Sequence, residues 1–486
     1  MNRQIRRLGI GLLVLYAALF VQLNIVQVLR ADEYNDHPNN NRAVVRDYSR
    51  PRGQILAADG SVLARSVPVD GRIGRQREYP TGDLFGQITG YFSFATGSDG
   101  VERTYNDALA GREAATTVRG VLDLLLDPER TADVTLTIPP IVQQAARDQL
   151  GERRGSVVAI DPRNGSILAL WSFPSYDPGP LSQVDLSAAR ETRRAALEEP
   201  ANPLLPRSYR ETFFPGSTFK VVTAATGLAG GQLSLDEPEF PAESEFTPPL
   251  TTRPVRNFGG STCGGTLVDI MRVSCNTAFA RLGVEIGGGA LVSGAEAFGF
   301  NDTPPIDLPS VARSRIGGED FDKDTPVVAQ TAIGQNAVRS TPLQMALVAA
   351  AVANGGSIME PHVMAEIRDS EGDVLRRFQP REWRRALSTE DAALLRDAMV
   401  AVVEDGTAGG LRIPGVPTAG KTGTAQLGSD PPASHAWIIG FAPADAPRVA
   451  VAVIVEGQPG ASEQTGGRVA APIARAVLEA ALAVTG

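Results

Sequence analysis

The spacing of apolar positions divides this chain into three unequal parts. From Leu8 to Leu29 no charged residue occurs, and these 22 residues are enough to cross a bilayer as one helix. Arg3, Arg6 and Arg7 precede the run, and Asp32 and Glu33 follow it. That asymmetry predicts a cytoplasmic N-terminus. A cleaved signal peptide would have a shorter apolar region ending in a small-residue cleavage site. Gln22, Asn24 and Gln27 make the second half of the run polar, and no convincing Ala-x-Ala site is present, so residues 1–30 read as an uncleaved anchor. Residues 30–45 are polar and Asn-rich, as in a linker. Between Arg52 and Ala64, two short apolar stretches flank Asp59-Gly60, which predicts a β-hairpin. Residues 79–111 mix Gly, Tyr and acidic side chains without a catalytic pattern.

A clearer rhythm starts near residue 138. Ile138–Arg153 has helical periodicity. Ser156–Ile160 and Ser166–Phe173 are apolar strands joined by the turn Asp161-Pro162-Arg163-Asn164-Gly165. Three more strands are predicted late in the chain, at Ala419–Gln426, Ala436–Phe441 and Val449–Val455, the last with valine at every second position. Short turns join the later pair, so neighbours run antiparallel. An amphipathic helix over 469–484 closes the chain. The ~245 residues between the two strand groups then form a mostly helical insertion. Its predicted helices include Ser217–Leu228, Leu267–Arg272, Asn276–Glu285 and Pro342–Ala353. The fold class is α/β of the α+β type: a five-stranded antiparallel sheet flanked by helices, with a helical subdomain inserted. The domain boundaries fall at 1–30, 31–137 and 138–486.

Composition adds two constraints. A net charge of -9 and the absence of a basic run disfavour nucleic-acid binding. Cys263 and Cys275 are the only cysteines, twelve positions apart. Outside the cytoplasm they are expected to form one bridge; the alternative is two buried free thiols.

The candidate chemistry lies where lysine survives. Lys and Arg total 46, yet only Lys220, Lys323 and Lys421 are lysines. A buried ammonium can lose its proton whereas a guanidinium effectively cannot. Lys323 sits in an acidic loop and reads as a surface charge. Ser217 and Lys220, after Pro215-Gly216, are spaced i, i+3 at a predicted helix start and share a face. The helix dipole favours developing negative charge at the serine, and the lysine can take its proton. Ser274-Cys275-Asn276 follows between two helices. Asn276 can both donate and accept, supporting a lysine and a substrate amide; the plainer reading is a helix N-cap. Lys421-Thr422-Gly423-Thr424 lies on the first late strand. There Gly423 would let a ligand backbone approach, and Thr422 and Thr424 share a face.

Gly415 to Thr422 also fits Gly-x-x-x-x-Gly-Lys-Thr, a phosphate-loop pattern. A phosphate loop needs a strand before it and a helix after it. Here Asp405-Gly406-Thr407-Ala408-Gly409-Gly410 precedes, and Gly423, Gly428, Pro431 and Pro432 follow, so nucleotide binding is rejected.

Together, Ser-x-x-Lys, Ser-x-Asn and Lys-Thr-Gly in this order resemble the penicillin-interacting serine enzymes. Phe214-Pro215-Gly216-Ser217-Thr218-Phe219-Lys220 is similar to the longer nucleophile motif of class B penicillin-binding proteins. Ile333-Gly334-Gln335 with Thr341–Ala346, and His435–Pro443, resemble two further segments of that family. Arg52–Ala64 resembles the start of its N-terminal pedestal domain, so the likeness spans nearly the whole chain. The short N-terminal region is most similar to the actinobacterial penicillin-binding protein A group.

The resemblance implies a single-pass plasma-membrane D,D-transpeptidase with its bulk outside the cytoplasm. It would cross-link peptidoglycan stem peptides ending in D-Ala-D-Ala and be acylated by β-lactams. Cell-wall synthesis or divisome proteins are the implied partners, and no metal or organic cofactor is required. Ser217 would be the nucleophile and Lys220 the base. Ser274 would relay protons in concert with Lys421, and Asn276 would hold Lys220 and the substrate amide. Lys421, Thr422 and Thr424 would hold the terminal carboxylate, beside Gly423. The backbone N–H groups of Ser217 and Thr424 would form the oxyanion hole. A β-lactamase or β-lactam sensor on the same fold, and a catalytically silent division scaffold, are the alternatives.

Overall fold

A computed structural model describes residues 2–26, 48–71, 74–112, 131–427, 433–457 and 465–485. The predicted linker over 30–45 and the end of the apolar run lie outside them. Asn2–Asn24 is one helix, and Arg3–Asn24 within it is long and apolar enough to cross a membrane, with none of that stretch buried against the protein.

The main sheet has five strands. Ala419–Gln426 lies at one edge, followed by Ser434–Ala442, Val449–Val455, Gly155–Ile160 and, at the other edge, Ile167–Phe173. Every neighbouring pair is antiparallel. The two early strands thus join the late group through Val449–Val455. Every residue of the three central strands is buried. Helices Pro140–Leu150 and Gly466–Val484 pack on the sheet and on each other, and Pro342–Ala353 also covers it. A sheet covered on both faces requires near-continuous apolar strands, which is why these segments are runs rather than alternations. Ser434–Ala442 starts earlier than its apolar pattern predicts. Ser434 and His435 pair with Gln426 and Ala425, so the neighbouring strand extends it through polar residues.

The predicted hairpin forms from Ile55–Leu56 and Val62–Pro68. It belongs to a second sheet whose order is Val374–Arg377, Met364–Asp369, Ala132–Leu136, Ile55–Leu56, Val62–Pro68, Arg75–Glu78. Two of its strands come from the inserted, mostly helical stretch, which thus also supplies strands to the N-terminal sheet. Met364–Asp369 pairs with Ala132–Leu136 more than two hundred residues away in sequence. The N-terminal sheet therefore borrows strands from across the 137/138 boundary. Its core holds a buried ion cluster in which Glu102 accepts from Arg52 Nε at 2.7 Å and from Arg77 Nε at 2.6 Å. Side-chain hydrogen bonds tie the N-terminal region to the main body, among them two that use carboxylates. Arg210 grips Asp99 with both terminal nitrogens, at 2.8 and 2.7 Å, and Tyr105 donates to Asp307 at 2.5 Å.

Candidate active site

Ser217 stands on a tight turn rather than in an α-helix. Gly216–Phe219 is a 3₁₀ turn that passes into the helix Lys220–Ala229. In 3₁₀ geometry residues three apart eclipse, which aligns Ser217 with Lys220. The turn is pressed between two neighbours. Gly216 has φ 54°, a Cβ there would lie 2.7 Å from the Thr424 carbonyl oxygen, and its N–H donates to Gly334 O at 2.9 Å. Trp437 Nε1 donates to Phe214 O at 3.0 Å and anchors the approach to the turn from the sheet.

Ser274 lies between helices Leu267–Arg272 and Asn276–Ile286, with φ 59°. A non-glycine residue in the left-handed region costs on the order of 1 kcal/mol or more, tolerated where the surroundings fix it. The turn aims both the carbonyl and the hydroxyl of Ser274 at one lysine. Lys220 Nζ donates to Ser274 O at 2.8 Å, lies 3.3 Å from Ser274 Oγ, and donates to Asn276 Oδ1 at 2.6 Å. From the other side Lys421 Nζ donates to Ser274 Oγ at 2.7 Å and to Thr422 O at 3.1 Å. The three motifs thus converge on the Ser274 hydroxyl. Among the described residues no hydrogen bond engages Ser217 Oγ, which leaves it available to a ligand.

Both lysines are fully buried. Burial holds the Lys220 amine well below the usual lysine range, and the neighbouring Lys421 lowers it further. Burial brings Lys421 down to about 7. All acceptors around the two amines are neutral oxygens. Two adjacent cations without a counter-ion are costly in a low-dielectric site, so a neutral amine is accessible near pH 7.

These groups open on a cleft of about 890 Å³. Ser217, Ser274, Asn276, Thr422 and Thr424 line it, and no aspartate or glutamate does among the described residues. Gly423 does not reach it. A Cβ at Gly423 would lie 3.0 Å from Pro215 O, Thr218 Cγ2 and Trp437 Cβ. The close approach this glycine permits on its Cβ side is that of the turn carrying Ser217. Cys263 and Cys275 are disulfide-bonded, with Cα atoms 5.8 Å apart. The N-cap reading of the Ser-x-Asn segment also changes. The cap position is Cys275, which makes no capping bond, and the N–H groups of Asn276 and Thr277 donate instead to Asn257 Oδ1 at 2.9 and 3.0 Å.

Several site residues lacked a local sequence signal. Asn257 is one. Thr407, whose hydroxyl lies 2.6 Å from that of Thr422, is another. Thr465, Gly466 and Arg468 at the start of the closing helix also line the cleft. The phosphate-loop look-alike is excluded, since Lys421 lies within an edge strand of an antiparallel sheet.

A serine on a tight turn, two buried lysines and a shared serine hydroxyl at the edge of a five-stranded antiparallel sheet define a serine acyl-transfer enzyme of the penicillin-interacting class. Comparison with known proteins narrows the class. Residues 155–479 match the penicillin-binding protein transpeptidase domain, and residues 52–134 match the penicillin-binding protein A dimerisation domain. The chain belongs to the penicillin-binding protein transpeptidase family. It is 41% identical over 498 residues to the peptidoglycan D,D-transpeptidase PbpA of Mycolicibacterium smegmatis, covering 99% of each chain. It is 39% identical over 496 residues to PbpA of Mycobacterium tuberculosis, again covering 99% of each. The ceftriaxone acyl-enzyme structure of penicillin-binding protein A from M. tuberculosis superposes with a TM-score of 0.83 at 39% identity, covering 90% of this chain and 100% of that one. The penicillin G acyl-enzyme complex of the same protein gives 0.81 at 39% identity, covering 89% and 100%.

Proposed function

We propose that this protein is a membrane-anchored peptidoglycan D,D-transpeptidase that β-lactams inhibit by acylating Ser217. The observation that carries the reading is the pair of buried lysines on either side of Ser274, one of them aligned with Ser217. Neutral Lys220 takes the Ser217 proton as Oγ attacks the carbonyl between the two terminal D-alanines of a donor stem peptide. The N–H groups of Ser217 and Thr424 hold the oxyanion; Ser217 is at the start of a 3₁₀ turn, where N–H groups lack intrahelical acceptors, and Thr424 is on an edge strand. Collapse breaks the C–N bond. The leaving D-alanine amine gains its proton through the Ser274 hydroxyl, which is recharged from the two lysines. An amine of a second stem peptide then attacks the ester, gives up its proton along the same relay and restores Ser217. Asn276 holds Lys220 and the substrate amide, and Thr422 and Thr424, with Lys421 behind them, receive the terminal carboxylate.

A β-lactamase must also activate water on the acyl-enzyme. The cleft offers no carboxylate for that step among its described lining residues, which favours a long-lived acyl-enzyme. Mass spectrometry after exposure to penicillin G tests the reading. A single adduct is expected on the Ser217 peptide, persisting for hours and absent from Ser217→Ala. An adduct on another serine, or rapid release of hydrolysed drug, would overturn it.

The Arg3–Asn24 helix serves as the membrane anchor, with the cytoplasm on the side of Arg3, Arg6 and Arg7. The disulfide fits an external catalytic domain. Protease added to intact spheroplasts should digest the chain beyond residue 30; full protection would reverse the orientation. Cell-wall synthesis or divisome proteins are the partners this placement suggests.

A further inference from the structure

Asn276 is held from two sides by a segment that carries none of the three motifs. Asn257 is buried, with 5% of its surface exposed, just after the short strand Val255–Arg256. Its Oδ1 accepts the N–H groups of Asn276 and Thr277. Its Nδ2 donates to Glu243 O at 2.8 Å and Ser261 O at 3.0 Å, and lies 3.3 Å from Thr277 Oγ1. The adjoining carbonyl of Arg256 accepts from Asn276 Nδ2 at 2.9 Å. A carboxamide has one acceptor and one donor end. With the donor end on Arg256 O, the acceptor end must face Lys220, 2.6 Å away.

We infer that Asn257 is a positioning residue for acylation: it caps the helix that carries Asn276 and, with the Arg256 carbonyl, fixes which end of the Asn276 carboxamide meets Lys220. This rests on the transpeptidase reading of the site. Two features distinguish the arrangement from an ordinary helix cap. The capping side chain comes from a remote segment rather than from the cap position, which the disulfide occupies. The same segment also binds the functional carboxamide directly. Loss of Asn257 therefore loosens both main-chain and side-chain control of one atom, Asn276 Oδ1.

The consequence is electrostatic. Asn276 Oδ1 favours the ammonium form of Lys220. The charged group facing Lys220 from the adjoining strand is Lys421. Around Asn257, Glu243 is paired with Arg281 at 2.8 Å, and Arg256 with Glu245 at 3.1 Å. Asn257→Asp keeps an oxygen for both N–H groups at a helix N-terminus that favours an anion, and gives up the donors to Glu243 O and Ser261 O. It also adds one negative charge behind Asn276, which favours the Lys220 ammonium. Asn257→Ala removes the acceptor and frees Asn276 Oδ1, which disfavours the ammonium.

The test is the second-order rate of acylation of the full-length chain in detergent by penicillin G, measured against pH, with adduct mapping to Ser217 in the wild type. For Asn257→Asp the acid limb should move up by about half a pH unit or more, because a nearby opposite charge favours the protonated amine. For Asn257→Ala the limb should move down, and the plateau should fall by about 10²-fold, the scale of a small misplacement of a catalytic group. A cap with a purely structural role would change melting temperature or plateau rate without moving the limb in opposite directions. Limbs at the wild-type position in both variants, or moved the same way, would overturn the inference while leaving the proposed function intact. If Asn257→Ala does not fold, Asn257→Ser, which keeps a hydroxyl oxygen but is too short to hold both N–H groups, takes its place, and a limb and plateau at their wild-type values overturn the inference. No adduct on wild-type Ser217 would overturn the proposed function and this inference with it.

Discussion

Replacing Lys421 by methionine should make the protein more stable at neutral pH while impairing acylation. The lysine is fully buried, and burial lowers its amine from 10.5 to about 7. The sign follows from proton counting. Between pH 7 and 10.5 the unfolded chain holds this proton and the folded chain releases it, so stability rises with pH across that window. Below about 7 both states hold it, and the cost of the buried charge is constant at about 5 kcal/mol. Between about pH 6.5 and about pH 9.5, wild type should gain about 3 kcal/mol relative to Lys421→Met. The methionine removes a donor from Thr422 O and leaves Ser274 Oγ with Lys220 Nζ at 3.3 Å, at a cost of about 1–3 kcal/mol that does not depend on pH. The difference in melting temperature should therefore narrow or change sign as pH rises, by roughly 3–4 °C. Differential scanning fluorimetry of both proteins across that range, at one scan rate, gives the measurement. Lys323→Met is the control, since Lys323 is exposed and its amine pairs with Asp320 at 2.7 Å. A melting difference for Lys421→Met that is flat with pH, in a folded variant, would refute the idea that the buried ammonium strains the fold.

Three further outcomes follow from the same geometry. Lys220→Arg keeps charge but removes a titratable amine, so penicillin acylation should fall by about 10³-fold or more, while Lys323→Arg leaves it unchanged. Gly334→Ala should destabilise the protein by about 2 kcal/mol or more and slow acylation, because Gly334 has φ 82° and its Cβ would overlap the Gly216 carbonyl oxygen beside Ser217; a wild-type melting curve would contradict that packing. Replacing Cys263 and Cys275 by alanine opens a loop spanning twelve positions and should cost about 3 kcal/mol in chemical denaturation. Before that replacement neither cysteine should be alkylated in unreduced, denatured protein.

Local pattern determined a large part of this protein. The scarcity of lysine singled out Lys220 and Lys421, and both prove to be buried amines on one serine hydroxyl, while Lys323 is a surface charge. Strand Val449–Val455 was legible because a sheet covered on both faces demands unbroken apolar runs. The membrane-length helix was legible because hydrocarbon tolerates no charge over its span. What required the tertiary structure involves contacts between distant segments. Asn257 looks like any loop asparagine until folding brings it to the helix of Asn276. Met364–Asp369 alternates weakly, and its role appears only when it pairs with Ala132–Leu136. Gly423 reads as a gap for a ligand, and its Cβ side faces Pro215 and Thr218 of the turn carrying Ser217. Apolar periodicity and motif spacing are set within a few turns of chain, so sequence carries them. Which side chain caps a remote helix, and which backbone fills the space above a glycine, are decided by long-range packing, and only the folded chain expresses that.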